Sequence, residues 1–281
     1  MRTKNAMQLK AIIRNRAKEE DVPPQLVMQN YLLERLLERI SLSSWRDCVV
    51  IKGGMLISSL VGVDKRSTKD LDTTVRGFSL SHESAEKAFR EIAAVKADDD
   101  FEFEFVRTED IRETDDYPGI RVHLLANYEK MSSPVTVDVT TGDRITPDAV
   151  EYSYPLMFEG RALSLMAYPL VTTLAEKLET VIGRGVANTR PRDFYDLHTL
   201  WLTRKSEVDL DVLEDALVAT SEKRGTRMVM DRYREVMAEV ALDAGMLGRW
   251  AVYARGYPYV GDMTLEEACG TVVTIMEAIG W

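Results

Sequence analysis

Between Val49 and Arg76 the chain reads VVIKGGMLISSLVGVDKRSTKDLDTTVR, an order of residues that few local structures accommodate. A β-branched run ends in Lys52, the chain turns through Gly53 and Gly54, an apolar segment follows from Met55 to Leu60, and Asp70-Leu71-Asp72 closes the stretch. The expected elements are a strand, a glycine turn, a helix and a second strand carrying two carboxylates. Paired glycines before a helix let the backbone approach an anion, and the free N–H groups of the first turn favour negative charge there. Asp70 and Asp72 are two apart, so on a strand both leave one face, about 6–7 Å apart along the chain. Carboxylates facing one way repel unless a cation lies between them, and Mg²⁺ bound through carboxylates and substrate phosphates is the usual answer. Alone, a Gly-Gly pair marks an ordinary turn and an Asp-x-Asp a solvated strand edge. Their combination in this order points to nucleotidyl transfer. Lys52 has two readings, a phosphate contact or a strand-end lysine with its head in water.

A third acid comes from Pro134–Thr140, PVTVDVT, where Val135, Val137 and Val139 alternate with Thr136, Asp138 and Thr140. Asp138 therefore stands opposite the valines, as a third metal-binding carboxylate or as part of an exposed polar face. Further on, Leu170, Leu174, Leu178 and Val181 form a helical stripe that begins after Tyr168-Pro169 and bears Lys177 and Arg184. Pro191 is expected to start the next helix, RPRDFYDL, on which Asp193 and Asp196 share a face. These charges read as a converging polar site, as a salt-bridge network between packed helices, or as both. In the first reading Lys177 contacts nucleotide phosphate and Asp193 orients it or polarises the acceptor.

The rest of the chain supplies scaffold. Residues 1–46 read as helical, broken at Val22-Pro23-Pro24, with Leu26, Val27, Tyr31, Leu32, Leu36, Leu37 and Ile40 on one stripe. Arg2, Lys4, Lys10, Arg14, Arg16 and Lys18 all precede the first acid, Glu19; they read as a contact for RNA or a partner or, as is commoner for such a helix, as charges shown to solvent. Ser81 is placed as an N-cap of a helix to about Val95, Phe101–Phe105 and Gly119–Ala126 as strands, the latter entered through Tyr117-Pro118, and Asp98–Asp100 as a solvated loop. From about Ala162 only helices are expected. Lys223, Arg224, Arg227, Arg232 and Arg234 form a basic cluster read as solvated helix surface or an RNA-backbone contact. Tyr253, Tyr257 and Tyr259 read as base-stacking or packing residues.

The 281 residues suffice for two domains, placed at 1–165 (with 1–46 its helical N-terminal part) and 166–281. The net charge of −10 means that a nucleic-acid partner must be held by a local basic surface. Cys48 and Cys269 have no metal-ligand spacing and are expected as small core residues of a reducing compartment. With no signal-peptide pattern and no apolar run able to cross a bilayer, no membrane association is expected and the cytoplasm is the expected location.

Taken together, Ile51-Lys52-Gly53-Gly54-Met55, Ser67-Thr68-Lys69-Asp70-Leu71-Asp72, the isolated strand acid Asp138, Ala175-Glu176-Lys177-Leu178 with Arg184, and Arg192-Asp193-Phe194-Tyr195-Asp196-Leu197 resemble the AbiEii toxin family of nucleotidyltransferases. That family lies within the DNA polymerase β-like superfamily, and the resemblance covers roughly residues 45–202. It implies an α+β fold: a polymerase β-like nucleotidyltransferase domain with a mixed sheet, then an all-helical domain. It also implies two Mg²⁺ ions, with Mn²⁺ as a substitute, and an NTP substrate. The matching positions are Gly53 and Gly54 for the phosphate turn, Asp70 and Asp72 for the metal pair, Asp138 for the third carboxylate, and Lys177, Asp193 and Asp196 for the C-terminal motif. Lys52 and Asp196 are assigned with the glycines to nucleotide binding. Family members studied as enzymes add nucleotides to the 3′ end of tRNA and serve in toxin–antitoxin or phage-defence pairs, so tRNA and an antitoxin are the expected partners. A protein or small-molecule acceptor such as an aminoglycoside, and a non-catalytic nucleotide-sensing module, are the alternatives. Where many relatives carry Gly-Ser, this chain has Gly-Gly-Met, so the serine's phosphate contact falls to backbone N–H groups or to Ser58 or Ser59.

Overall fold

The computed structural model describes residues 1–62, 64–66, 68–111 and 119–281, which leaves Ser67, three residues before Asp70, and the Tyr117-Pro118 strand entry outside the described residues. It divides into two compact units, Met1–Asp143 with Ala149–Ala167, and Arg144–Asp148 with Tyr168–Trp281.

The first unit opens with α1 (Ala6–Glu19), capped by Asn5, whose side chain accepts from Gln8 N. The prolines at 23 and 24 break the chain, and Pro24 starts α2 (Pro24–Leu42). Next come β1 (Val49–Lys52), α3 (Gly53–Val61), β2 (Leu71–Val75), α4 (His82–Ala94), β3 (Glu102–Asp110), β4 (Ile120–Tyr128), β5 (Met131–Thr141), β6 (Val150–Pro155) and β7 (Ala162–Ala167). The strands form one mixed sheet in the order β3-β4-β5-β2-β1-β7-β6. Pairs β2–β5 and β1–β7 are parallel and the rest antiparallel. Its buried face carries Val135, Val137 and Val139, and α4 is fixed at its start by the Ser81 capping box.

The second unit is helical: α5 (Leu170–Arg184), α6 (Pro191–Arg204), α7 (Leu210–Lys223), α8 (Arg227–Met230), α9 (Tyr233–Leu242), α10 (Ala244–Gly256) and α11 (Leu265–Ala278). Among the described residues no helix is long and apolar enough to cross a membrane.

Four local expectations need correction. A strand, β7, begins at Ala162, where only helices were expected. Its residues Ala-Leu-Ser-Leu-Met-Ala favour helix, but pairing on both edges, with β1 and β6, overrides that preference. Asp99 is buried, not part of a solvated loop: Arg39 grips its carboxylate with Nη1–Oδ2 at 2.7 Å and Nη2–Oδ1 at 2.8 Å. The helix α2 is buried on nearly every side, so Glu34, Arg35, Glu38 and Arg39 lie inside with its leucines. Inside they need partners: Arg35 meets Glu38 at 2.8 Å and Glu159 at 2.9 Å, and Arg161 reaches Glu38 at 2.7 Å. Finally, Cys48 is half-buried, whereas Cys269 is buried and its thiol is pushed up by burial to about 12.

Candidate active site

The strand register builds the site. Lys52 on β1 pairs with Asp72 on β2, Asp72 pairs with Asp138 on β5, and Asp138 pairs with Arg121 on β4. Register partners on neighbouring strands face the same way, so four residues distant in sequence form one cross-strand row with charges plus, minus, minus, plus. The two carboxylates sit on adjacent strands, about 4.8 Å apart between backbones. Like charges directly opposite one another are destabilising, and this pair is the strained part of the row.

Each end is occupied. Arg121 holds Asp138 in a fork, Nε–Oδ1 at 2.7 Å and Nη2–Oδ2 at 2.8 Å. Hydrogen bonding to Asp138 raises the Arg121 pKa against the opposing effect of partial burial, with the charges of Asp138 and Asp70 adding to the rise. At the other end the Lys52 ammonium turns to Asp143, at 2.5 Å, and Thr140 donates to the same carboxylate at 3.0 Å. Asp70 stands one residue before β2, where Thr136 Oγ1 donates to its Oδ1 at 2.7 Å. Thr136 and Asp138 follow one another along β5 on the same face, so one strand positions two of the three acids.

The glycines are required by this packing. Gly53 has φ +64°, and a Cβ there would lie 2.2 Å from Asp72 Oδ2. A Cβ on Gly54 would lie 2.6 Å from Thr68 Oγ1, with the buried Arg66 Nη2 at 3.2 Å. In return Asp72 Oδ2 accepts from Gly54 N at 3.3 Å, a long bond at the N-terminus of α3. An anion therefore already rests where the paired glycines were expected to receive one. Ser59 Oγ donates to Leu56 O at 2.7 Å and contacts Tyr152 Oη, while Ser58 is buried. The backbone N–H groups are thus the better phosphate donors of the two possibilities raised by the missing serine.

The donor set fits a hard divalent cation: three carboxylates, two of them adjacent in an otherwise compensated row. Among the described residues no group of three or more His, Cys, Asp or Glu side chains is drawn together in a metal-holding cluster, and Arg121 holds Asp138.

In the helical unit, Lys177 on α5 donates to Asp193 and lies 2.7 Å from both Asp193 and Asp196 of α6. Asp196 is fully buried and Asp193 nearly so. Burial alone would lower the lysine's pKa, but the two carboxylates outweigh it and hold the ammonium above its ordinary value. The basic tail cluster is largely neutralised: Arg224 pairs with Glu179, Arg227 with Asp231, Arg232 with Glu235 and Arg234 with Glu277. Tyr253, Tyr257 and Tyr259 pack on one another, and Tyr253 and Tyr259 also on Tyr195, at centroid separations of 5.0–6.5 Å, which is the packing reading of those rings.

Sequence reasoning missed Arg121, Thr136 and Asp143 as members of the site. Arg121 carried the same signal as Asp138, a charge on the polar phase of an alternating strand, but nothing in the sequence sets the two strands side by side.

A family model described as nucleotidyl transferase AbiEii toxin, type IV TA system, matches residues 35–268. No curated protein matches the chain. A crystal structure of a candidate nucleotidyltransferase from H. pylori is similar over 92% of this chain and 96% of its own, at 16% identity and a TM-score of 0.49. JHP933 from Helicobacter pylori is similar over 91% of each chain, at 16% identity and a TM-score of 0.46.

Proposed function

The chain belongs to the AbiEii family of nucleotidyltransferase toxins of type IV toxin–antitoxin systems, and from that premise we propose that it transfers a nucleotide from an NTP to the 3′ end of tRNA, with divalent cations required, and so blocks translation. Family membership brings an antitoxin as its partner.

The observation that carries the catalytic part is the register pairing of Asp72 with Asp138 beside the Gly53-Gly54 turn. Asp70 and Asp72 would hold Mg²⁺ with Asp138 as the third ligand, and Mn²⁺ would substitute. When bound, the metal supplies neutralisation of triphosphate charge and activation of the attacking hydroxyl. The backbone N–H groups at Gly53 and Gly54 receive phosphate oxygens. Arg121 keeps Asp138 aimed through its two hydrogen bonds. In the helical unit Lys177 is assigned to the charge that develops on pyrophosphate, with Asp193 fixing its ammonium. Asp196, having no exposed surface, acts through Lys177. The acceptor assignment is supported by family membership and by the basic surface of α1.

The test is transfer of each labelled NTP in turn to total bacterial RNA with Mg²⁺, comparing the protein with its Asp72→Ala variant on a denaturing gel. Label in the tRNA band only with the intact protein is expected and identifies the nucleotide. A folded protein that binds NTP and labels no RNA would overturn the tRNA assignment and turn attention to protein and small-molecule acceptors.

A further inference from the structure

A cavity of about 520 Å³ opens between α1, α2 and the start of β5, lined by Lys10, Ile13, Arg14, Gln25, Met28, Gln29, Leu32, Met131, Ser133 and the prolines at 24 and 134. Its floor is apolar, through Ile13, Leu32 and the half-buried Met28. Its polar lining consists of two cations, two amides and a hydroxyl, without a carboxylate. In a chain with net charge −10 that is an unusual local surface.

The two cations are also unspent. Most basic side chains with a counterpart nearby are paired, as in the C-terminal cluster; on the N-terminal segment itself Arg2 pairs with Asp98 and Arg16 with Glu20. Lys10 and Arg14 are exposed and form no ion pair among the described residues; Arg14 Nε donates only to Lys10 O, at 3.2 Å. An apolar slot edged by two amides and by two cations without an ion pair among the described residues suits a ligand with flat bases and regularly spaced negative charges.

The cavity is tied to the carboxylates. Gln29, in its wall, donates to Lys69 O at 3.0 Å, and the next residue, Asn30, donates to Thr68 O at 3.4 Å. Those carbonyls lie in the two residues immediately before Asp70. From the other side, Pro134 lines the cavity, Thr136 bonds Asp70, and Asp138 pairs with Asp72, all in one phase of β5. Asp138 follows Pro134 by four positions, about 13 Å along the strand.

We propose that this cavity seats the acceptor RNA strand just before its 3′ end, with backbone phosphates at Lys10 and Arg14 and a base over Met28 and Pro134 within reach of Gln25 and Gln29. The proposal rests on the reading that the acceptor is RNA. It gives the N-terminal helix, whose charges the sequence offers either to RNA or to solvent, the task of presenting the 3′ hydroxyl to Asp70, Asp72 and Asp138.

The experiment measures binding of a fluorescent single-stranded RNA ending in CCA by anisotropy across a salt series, with NTP binding and NTP transfer measured in parallel. Three proteins are compared: the unsubstituted chain, Lys10→Glu/Arg14→Glu, and Lys87→Glu/Lys96→Glu, which changes net charge equally elsewhere on the first unit. The pocket variant is expected to bind RNA at least tenfold more weakly. Its slope of log affinity against log salt should fall by about 1.4, two contacts at about 0.7 each. NTP binding should be unchanged, and the control variant should resemble the unsubstituted protein. Equal weakening in both variants, or unchanged RNA binding in the pocket variant with transfer intact, overturns the proposal while leaving the RNA acceptor in place. If the unsubstituted protein neither binds nor labels RNA, the acceptor reading itself fails, and this proposal with it.

Discussion

Asp72 and Asp138 are direct register partners on the parallel strands β2 and β5, two like charges side by side between Lys52 and Arg121. Arg121 relieves the repulsion by taking Asp138. It therefore occupies the carboxylate that a cation would need. Arg121→Gln should lower the Mn²⁺ concentration for half-saturation several-fold in a calorimetric titration, while Asp138→Asn should raise it. Because the pair is partly exposed, loss of the arginine should cost only about 1 kcal/mol of stability.

Gly53→Ala tests the turn. The left-handed φ costs an L residue about 1–2 kcal/mol, and the added carbon would fall on the Asp72 carboxylate. A melting temperature lowered by several degrees is expected, with transfer activity down by about a hundredfold, as for a misplacement of about 1 Å at a reacting centre. Activity within threefold of the unsubstituted protein would mean that the contact with Asp72 is dispensable.

Lys177→Met should destabilise the helical unit by about 3–5 kcal/mol, since two buried carboxylates lose their shared cation. Denaturant unfolding measures this. Adding Asp193→Asn and Asp196→Asn to the same chain should recover most of the stability without recovering transfer, which separates the structural role of the triad from its proposed role at phosphate.

Glu34 offers a pH test at a carboxyl outside the carboxylate row. Burial raises its carboxyl from 4.5 to about 8, with Arg35 and the Met157 N–H opposing only in part. Between those values the folded protein keeps a proton that the unfolded chain has released, so stability falls as pH rises through that window, by at most about 1.4 kcal/mol per pH unit. Unfolding at pH 5 and at pH 8 should show this loss in the unsubstituted protein and a smaller one in Glu34→Gln.

The motif was legible because its chemistry is local. Gly53, Gly54, Asp70 and Asp72 lie within twenty residues, and alternation alone placed Asp138 on the polar phase of its strand. Helix starts at Pro24, Ser81 and Pro191 were legible for the same reason, since caps and prolines act on their own turn. Burial of Asp99 was not, because a carboxylate in a turn looks solvated until a guanidinium sixty residues earlier, Arg39, is folded against it. Nor was β7, whose helix-favouring residues become a strand only when β1 and β6 offer their edges. The sequence by itself determined which residues carry charge, where the chain must turn, and which face of each strand an acid occupies, because these depend on neighbours two to four positions away. Tertiary structure alone decided the partners: that Lys52 turns to Asp143, that Arg121 holds Asp138, and that Lys10 and Arg14 meet no acid among the described residues. Strand order and register bring those groups together, and both are fixed by burial of the whole sheet, to which no single segment holds the key.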